Sequence, residues 1–290
     1  MQNNVFFGIT LMVITTFMFS SMDGVSRYLA ENNNIFTLVT MRYWFIAFVM
    51  IVTCLFIKNH VSDILNTKQP YIQFSRGVIL SLNNCLVVYT FTLLGLVETH
   101  AIIACYPLIV AGLSVPFLGE RFGWRRWMAI FTGFIGVIII LRPNTNVITE
   151  GSIFAIVGAI MFAVYLILTR HVSRSDTAII SFFWTGIGGT VTMSLISLFI
   201  WDDILKDDYL WLLIMCVLSA GSHFMMVKTL EVAEASVVQP FSYLQLVFGS
   251  IIGVTIFSES IDLMIVIGAL VVIGSGLFTT WREYKIKHNI

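Results

Sequence analysis

Charge is scarce in this chain. Of its 290 residues only 11% are Asp, Glu, Lys or Arg, against roughly a quarter in soluble domains. With 58% hydrophobic residues, a water-soluble protein is excluded. The basic and acidic residues balance at zero net charge, and no nucleic-acid partner is expected. Long polar links are missing too, none exceeding about 15 residues, which leaves little polar surface for a protein partner. Four cysteines, Cys54, Cys85, Cys105 and Cys216, stand singly inside apolar runs and read as small fillers. No CxxC or His-x-x-x-His spacing occurs, so metal and redox chemistry are not expected and no cofactor is implied. The first apolar run has no basic n-region, since MQNN precedes it. It continues through Asp23 and Arg27 without a small-residue cleavage site, unlike a removable signal peptide.

What the chain does have is length of apolar run. A helix crosses roughly 30 Å of hydrocarbon in about 20 residues. Ten segments meet that need, near 5–27, 35–57, 71–94, 99–119, 124–141, 149–170, 177–200, 209–229, 233–257 and 262–281. Segments 3 and 4, and 8 and 9, are barely separated. Lys and Arg concentrate in cytoplasmic links. With the N-terminus inside, 12 of the 16 basic residues fall on the cytoplasmic side, leaving only Arg27, Arg42, Arg142 and Lys206 outside. Both termini are therefore expected in the cytoplasm, with 282–290 as a basic cytoplasmic tail. The acidic link WDDILKDDYLW reads as a solvated outer loop.

The chain repeats itself. Gly8/Gly151, Met18/Met161, Phe19/Phe162 and Arg27/Arg170 match at one offset, and LVETHAIIA from Leu96 aligns with VAEASVVQP from Val232, pairing Glu98 with Glu234. Five spans per half is an odd number, so the second half enters the membrane from the opposite face. The expectation is an all-α integral membrane protein of ten transmembrane helices in two inverted five-helix repeats, 1–142 and 149–281. Such a fold places its site between the halves, near the midplane.

Polar groups within hydrocarbon are costly unless paired, so they normally face the bundle interior or a cavity. Asn83 and Asn84 lie deep in the third span and suit either a binding cavity or interhelical hydrogen bonding. In the ninth span Gln239, Ser242 and Tyr243 follow i, i+3, i+4 spacing, and Gln245 extends the stripe. Pro240 frees a backbone carbonyl there, as a kink or as a ligand contact. In the eighth span Ser219, Ser222, His223 and Met226 share a face. His223 reads as a satisfied interior histidine or a proton-sensitive site group, whereas His60, His100, His171 and His288 fall in links, at span ends or in the tail.

Asp23 and Arg27, four apart, are expected to neutralise each other within one helix. Arg42 lies about 10 Å inside the second span at helical rise. It can snorkel outward, meet Asp23 or Glu98, or meet an anionic substrate group. Tyr106 and Tyr165 near span centres are candidate walls of an amphipathic pocket. Trp124, Trp127 and Trp281 beside arginines suit interfacial anchoring. Gly133/Gly136 and Gly249/Gly253 suit close helix contacts.

Three stretches, FLGERFGWRRWMAIFTGFIGVIIILRP, EASVVQPFSYLQLVFGSIIGVTIFSESID and GALVVIGSGLFTTWRE, resemble the EamA-type branch of the drug/metabolite transporter superfamily. The likeness extends over nearly the whole chain and is similar to bacterial carriers of the S-adenosylmethionine type. It implies a ten-helix inverted-repeat carrier with a central cavity walled by both halves. FSESID departs from the FGE-x-P form of that branch at Ser258 and Ile261, and Glu120 and Glu259 read as residues ending helices. The expected function is transport of a small polar or amphipathic organic metabolite, such as S-adenosylmethionine or an amino acid, across the cytoplasmic membrane by alternating access. The candidate substrate-binding residues are Asn83, Asn84, Arg42, Tyr106, Tyr165, His223, Gln239, Tyr243 and Gln245. The expected partners are the solute and the lipid bilayer. One chain holds both halves, so a monomer suffices and a homodimer stays open. The rival readings are a membrane-embedded enzyme, for which His223 lacks an obvious partner, and a membrane binding protein that does not transport.

Overall fold

A computed structural model of the chain describes residues 5–56, 66–118, 123–141, 149–172, 175–232 and 238–287. Glu120, Glu234, Lys58, Arg121, Arg142 and Arg174 fall outside them, as do the side chains of Cys54, Gln239 and Pro240. Among the described residues all regular structure is helical, as hydrocarbon demands of a backbone whose every N–H and C=O needs an internal partner. The helices are α1 (Val5–Ala30), α2 (Ile35–Phe56), α3 (Pro70–Ile103), α4 (Tyr106–Leu118), α5 (Trp124–Leu141), α6 (Glu150–Val172), α7 (Ala178–Ile200), α8 (Tyr209–Val232), α9 (Leu244–Phe257) and α10 (Leu263–Lys287). Six are long and apolar enough to cross a membrane, and α4, α5, α9 and α10 contribute shorter apolar stretches.

Large apolar side chains such as Phe6, Phe48, Leu198 and Phe199 stay exposed, the surface a bilayer requires. Hydroxyls turn inward. Thr15, Ser26, Thr40, Thr90 and Thr229 each donate to the carbonyl four residues back, which satisfies a buried hydroxyl without a second helix.

Most packing joins helices distant in sequence. α1 lies against α8 and α9, α3 against α6 and α7, α2 against α7 and α8, α4 against α6, and α5 against α10. Small residues permit the closest of these approaches. A Cβ on Gly136 of α5 would lie 2.8 Å from the carbonyl oxygen of Gly268 in α10, and one on Gly249 would lie 3.0 Å from the His100 ring. The expected close contacts at Gly133/Gly136 and Gly249/Gly253 are present.

Segments 3 and 4 divide earlier than 94 and 99. Gly95 adopts φ 81°, ψ 179°, a conformation closed to residues with a Cβ, and helix resumes at once at Leu96. Glu259, just beyond α9, caps this restart by accepting from the backbone N–H of Leu96 and of Val97, both at 2.8 Å. The same carboxylate pairs with Arg27, whose guanidinium also lies 4.1 Å from the centre of the Phe257 ring. Arg27 therefore pairs across helices. The expected Asp23–Arg27 pair does not form, because Asp23 lies a full turn deeper and is engaged elsewhere.

The bundle end at Ala30 is tied by further polar contacts. Asn33 donates to Asp208 at 2.6 Å and accepts from the Leu205 N–H at 3.0 Å, and the Asp202 N–H donates to Thr37. Asp202, Asp203 and Asp207 are exposed, as a solvated loop predicts, whereas Asp208 is buried. At the opposite end Asp176 accepts from Thr67, from the Lys68 N–H and from Gln73, which also bonds Arg76 and Ser181. Burial alone would raise the Asp176 pKa, but these donors outweigh it and hold the carboxyl below its ordinary value of 3.8.

Candidate functional site

The polar residues of the interior gather into a connected group where α1, α2 and α3 meet α8 and α9. Asp23 of α1 is 8% exposed. Its Oδ2 lies 3.1 Å from His100 Nε2 and accepts from Gln245 Nε2, also at 3.1 Å. His100 sits one turn past the Gly95 break, 7% exposed, stacked on Phe91 with centroids 5.4 Å apart. Its Nδ1 lies 2.8 Å from the Leu96 carbonyl oxygen. A carbonyl can only accept, so Nδ1 carries a hydrogen. For the His100–Asp23 contact to be a hydrogen bond, a second proton must then lie between Nε2 and Oδ2, on the ring or on the carboxyl. The backbone carbonyl of Gln245 accepts from Ser20, tying α9 to α1 a second time.

Beside this pair stands Arg42. Its side chain is 3% exposed and its Nε donates to Ser219 Oγ of α8 at 2.5 Å. Arg42 does not snorkel, and among the described residues it meets neither Asp23 nor Glu98 in an ion pair. His223, a turn from Ser219, accepts no side chain. Its Nδ1 donates to the Ser219 carbonyl at 2.9 Å and its ring meets Phe19 edge-on at 5.1 Å. It lies within electrostatic reach of both Arg42 and Asp23. Cation, imidazole and carboxylate thus share one interior region, supplied by helices from both ends of the chain.

The remaining expected residues divide. Asn84 donates to the Tyr43 hydroxyl of α2 at 3.0 Å, an interhelical tie. Asn83 faces α6 near Gly158, and its buried Oδ1 has no hydrogen-bond partner. Tyr106 packs edge-on against Phe162 at 4.9 Å, and Phe162 stacks on Tyr165 at 5.9 Å. Arg76 lies 5.2 Å from the centre of the Tyr165 ring and donates to Thr169 at 3.0 Å. This aromatic row runs from the Tyr106 hydroxyl, bonded to Ser242, towards the Asp176 end, apart from Asp23.

The polar stripe at 239–245 is not one face. Residues Gln239–Tyr243 wind as a 3-10 helix ahead of α9, and at about three residues per turn the i, i+4 register is lost. Gln245 reaches Asp23, Ser242 reaches Tyr106, and the Tyr243 hydroxyl is buried against Gly276 without a partner. Asp23, His100 and Ser219 are site members that reading the sequence set aside. The signal was Gly95. Once it ends the third span, Leu96 begins a helix and His100 falls a turn inside it.

Two open clefts lie away from this group. One of about 580 Å³ runs between α5 and α10, lined by residues such as Trp124, Arg125, Leu270 and Phe278. The other, about 570 Å³, lies over the α1–α2 turn at Glu31 and Asn34 beside Tyr89. Among the described residues no cluster of His, Cys, Asp and Glu suits a metal ion.

Comparison with known proteins follows the same outline. The S-adenosylmethionine uptake transporter of Rickettsia felis is 26% identical over 92% of this chain and 90% of its own length. That of Rickettsia prowazekii is 25% identical over 96% and 94%. The riboflavin transporter of Vibrio cholerae is 28% identical over 64% and 62%. A protein of solved crystal structure superposes with a TM-score of 0.67 over 96% of this chain and 98% of its own, at 14% identity, and so shares the fold. Residues 6–142 and 149–281 match the EamA-like transporter family. With both stretches matched and full-length relatives that are carriers, the chain belongs to the EamA-like transporter family and is a multi-pass membrane transporter of a small metabolite, not an enzyme.

Proposed function

We propose that the protein is a secondary carrier that moves a small amphipathic organic solute of the S-adenosylmethionine kind across the cytoplasmic membrane by alternating access. Its ten spans form two inverted five-helix repeats, 1–142 and 149–281, with both termini in the cytoplasm. The observation that carries this reading is the buried group of Asp23, His100 and Arg42 from one repeat with Ser219, His223 and Gln245 from the other. A site shared by two halves is exposed to either side as the halves rock.

Helix pairing supports the repeat. Advancing both members by five turns α1–α8 into α6–α3, α1–α9 into α6–α4, and α2–α8 into α7–α3, all of which pack together. The exchange also relates α5 to α10. Polar ties close both ends of the bundle, so the interior group is reached from either side only after one set parts. The monomer is the working unit, since one chain supplies both halves. The substrate class comes from the printed activity of the Rickettsia relatives, and the charged interior suits a solute with charged groups of its own.

Counterflow tests it. Purified protein in liposomes preloaded with unlabelled S-adenosylmethionine accumulates the labelled solute, and Asp23→Asn and Gln245→Ala lower the rate by about tenfold or more. Accumulation unchanged in both variants moves the site elsewhere. No accumulation of S-adenosylmethionine alongside counterflow of riboflavin replaces the substrate class.

A further inference from the structure

The Asp23 carboxylate has two partners, whereas the Arg42 guanidinium has one neutral hydroxyl. That asymmetry is the starting point. Arg42 is 3% exposed, lies well inside α2, and holds Ser219 Oγ through Nε alone. Among the described residues its two terminal nitrogens have no hydrogen-bond acceptor, and neither is sealed from solvent-sized probes as the orphaned Asn83 and Tyr243 oxygens are. A guanidinium presents its donors as a planar fork that fits a carboxylate in two parallel hydrogen bonds. Here the stem nitrogen is anchored and the fork is left open. Buried cations are normally matched by an anion, and this one faces a site whose own carboxylate is already occupied by His100 and Gln245.

The neighbours favour an anion over water. Besides Ser219, the side chains within electrostatic reach of Arg42 are His223, Tyr43, Cys85 and Cys216, all uncharged or cationic at neutral pH. Tyr43 is already held by Asn84, and Cys85 contacts Met193 at 3.6 Å, so neither turns towards the fork. The other buried arginine, Arg76, differs: Gln73, Thr169 and the Tyr165 ring surround it, with Asp176 close by.

We infer that Arg42 is the carboxylate subsite of the carrier, so that the transported solute bears a carboxylate that docks on the Arg42 fork beside Ser219. This rests on the transport reading and deepens it by naming the group recognised. A solute of the amino-acid type enters with its carboxylate on Arg42 and its cationic part towards Asp23, across His223. Solutes lacking the carboxylate leave the buried cation unmatched and are rejected.

The test compares S-adenosylmethionine with its decarboxylated analogue, which differs only by the loss of that group. Initial uptake of each labelled probe is measured in proteoliposomes bearing native protein, Arg42→Lys, Arg42→Gln or Ser219→Ala. The native protein is expected to favour the carboxylate by about tenfold or more. Arg42→Gln is expected to bring the ratio near one, Arg42→Lys to keep part of the preference, and Ser219→Ala to raise the KM for the carboxylate probe alone. A structural role for Arg42 would lower both uptakes together and leave the ratio unchanged, which overturns the inference. Equal native uptake of the two probes also overturns it while leaving transport intact, and needs no variant to fold. Native protein carrying neither probe removes both the substrate class and the subsite.

Discussion

Glu259 offers the sharpest test of how this fold is held. Its side chain is 12% exposed and that of its partner Arg27 15%. The carboxylate accepts two backbone N–H groups at 2.8 Å and faces one guanidinium. Hydrogen bonds to a charged group each contribute about 1.5–3 kcal/mol. Glu259→Gln keeps one oxygen to accept with, so it loses one of the two N–H bonds and leaves Arg27 facing a neutral amide. The loss comes to about 3 kcal/mol, which in a chain of this size lowers Tm by roughly 6–12 °C. Scanning fluorimetry of detergent-purified protein at one fixed scan rate reads it, with exposed Asp207→Asn as a control that moves less than about 2 °C. The double variant Arg27→Gln/Glu259→Gln should cost less than the sum of the singles, with a coupling of about 1–3 kcal/mol. Gly95→Ala should be as damaging as Glu259→Gln or worse. Its φ of 81° disfavours a side chain, and the new Cβ would lie 2.6 Å from Glu259 Oε1. A Glu259→Gln protein melting within about 2 °C of native would refute the capping argument.

The same physics makes smaller predictions elsewhere. Asn84→Ala and Tyr43→Phe each remove one interhelical hydrogen bond and should each lower stability by about 1 kcal/mol, with the double variant little worse than either, as Tm series would reveal. Gly136→Ala would push a Cβ to 2.8 Å from the Gly268 carbonyl, so α5 and α10 must part, costing about 1–3 kcal/mol by the same melting assay. Asp176 titrates lower in the folded protein than its ordinary 3.8. Its contribution is therefore complete above that value and is lost as pH falls through the lower native one. Asp176→Asn should flatten that acid limb of a Tm-against-pH profile while lowering Tm at neutral pH.

Much of the fold was legible because a bilayer imposes one simple rule. Apolar length marks spans, and Gly, Pro and charge mark their ends. The segments near 5–27, 35–57, 124–141 and 177–200 coincide with α1, α2, α5 and α7 to within a few residues. The break between segments 3 and 4 was misplaced because hydropathy does not register a single positive-φ glycine, and His100 was misjudged with it. Asp23 and Arg27 were assigned to each other because i, i+4 spacing is visible in sequence, whereas Glu259, 232 residues from Arg27, is not. The stripe at Gln239–Gln245 failed for a local reason: a 3-10 turn rotates its residues onto different neighbours.

By itself, the sequence determined the solvent this protein lives in, its helical class, its duplicated plan and its family, since each depends on composition or on residues close along the chain. Only tertiary structure decided which polar residues meet. Asp23 with His100 and Gln245, Arg42 with Ser219, and Glu259 with Leu96 are joined across 77, 222, 177 and 163 positions. A buried charge takes its partner from whatever helix face packing brings within about 3 Å, and that choice is made by the bundle as a whole.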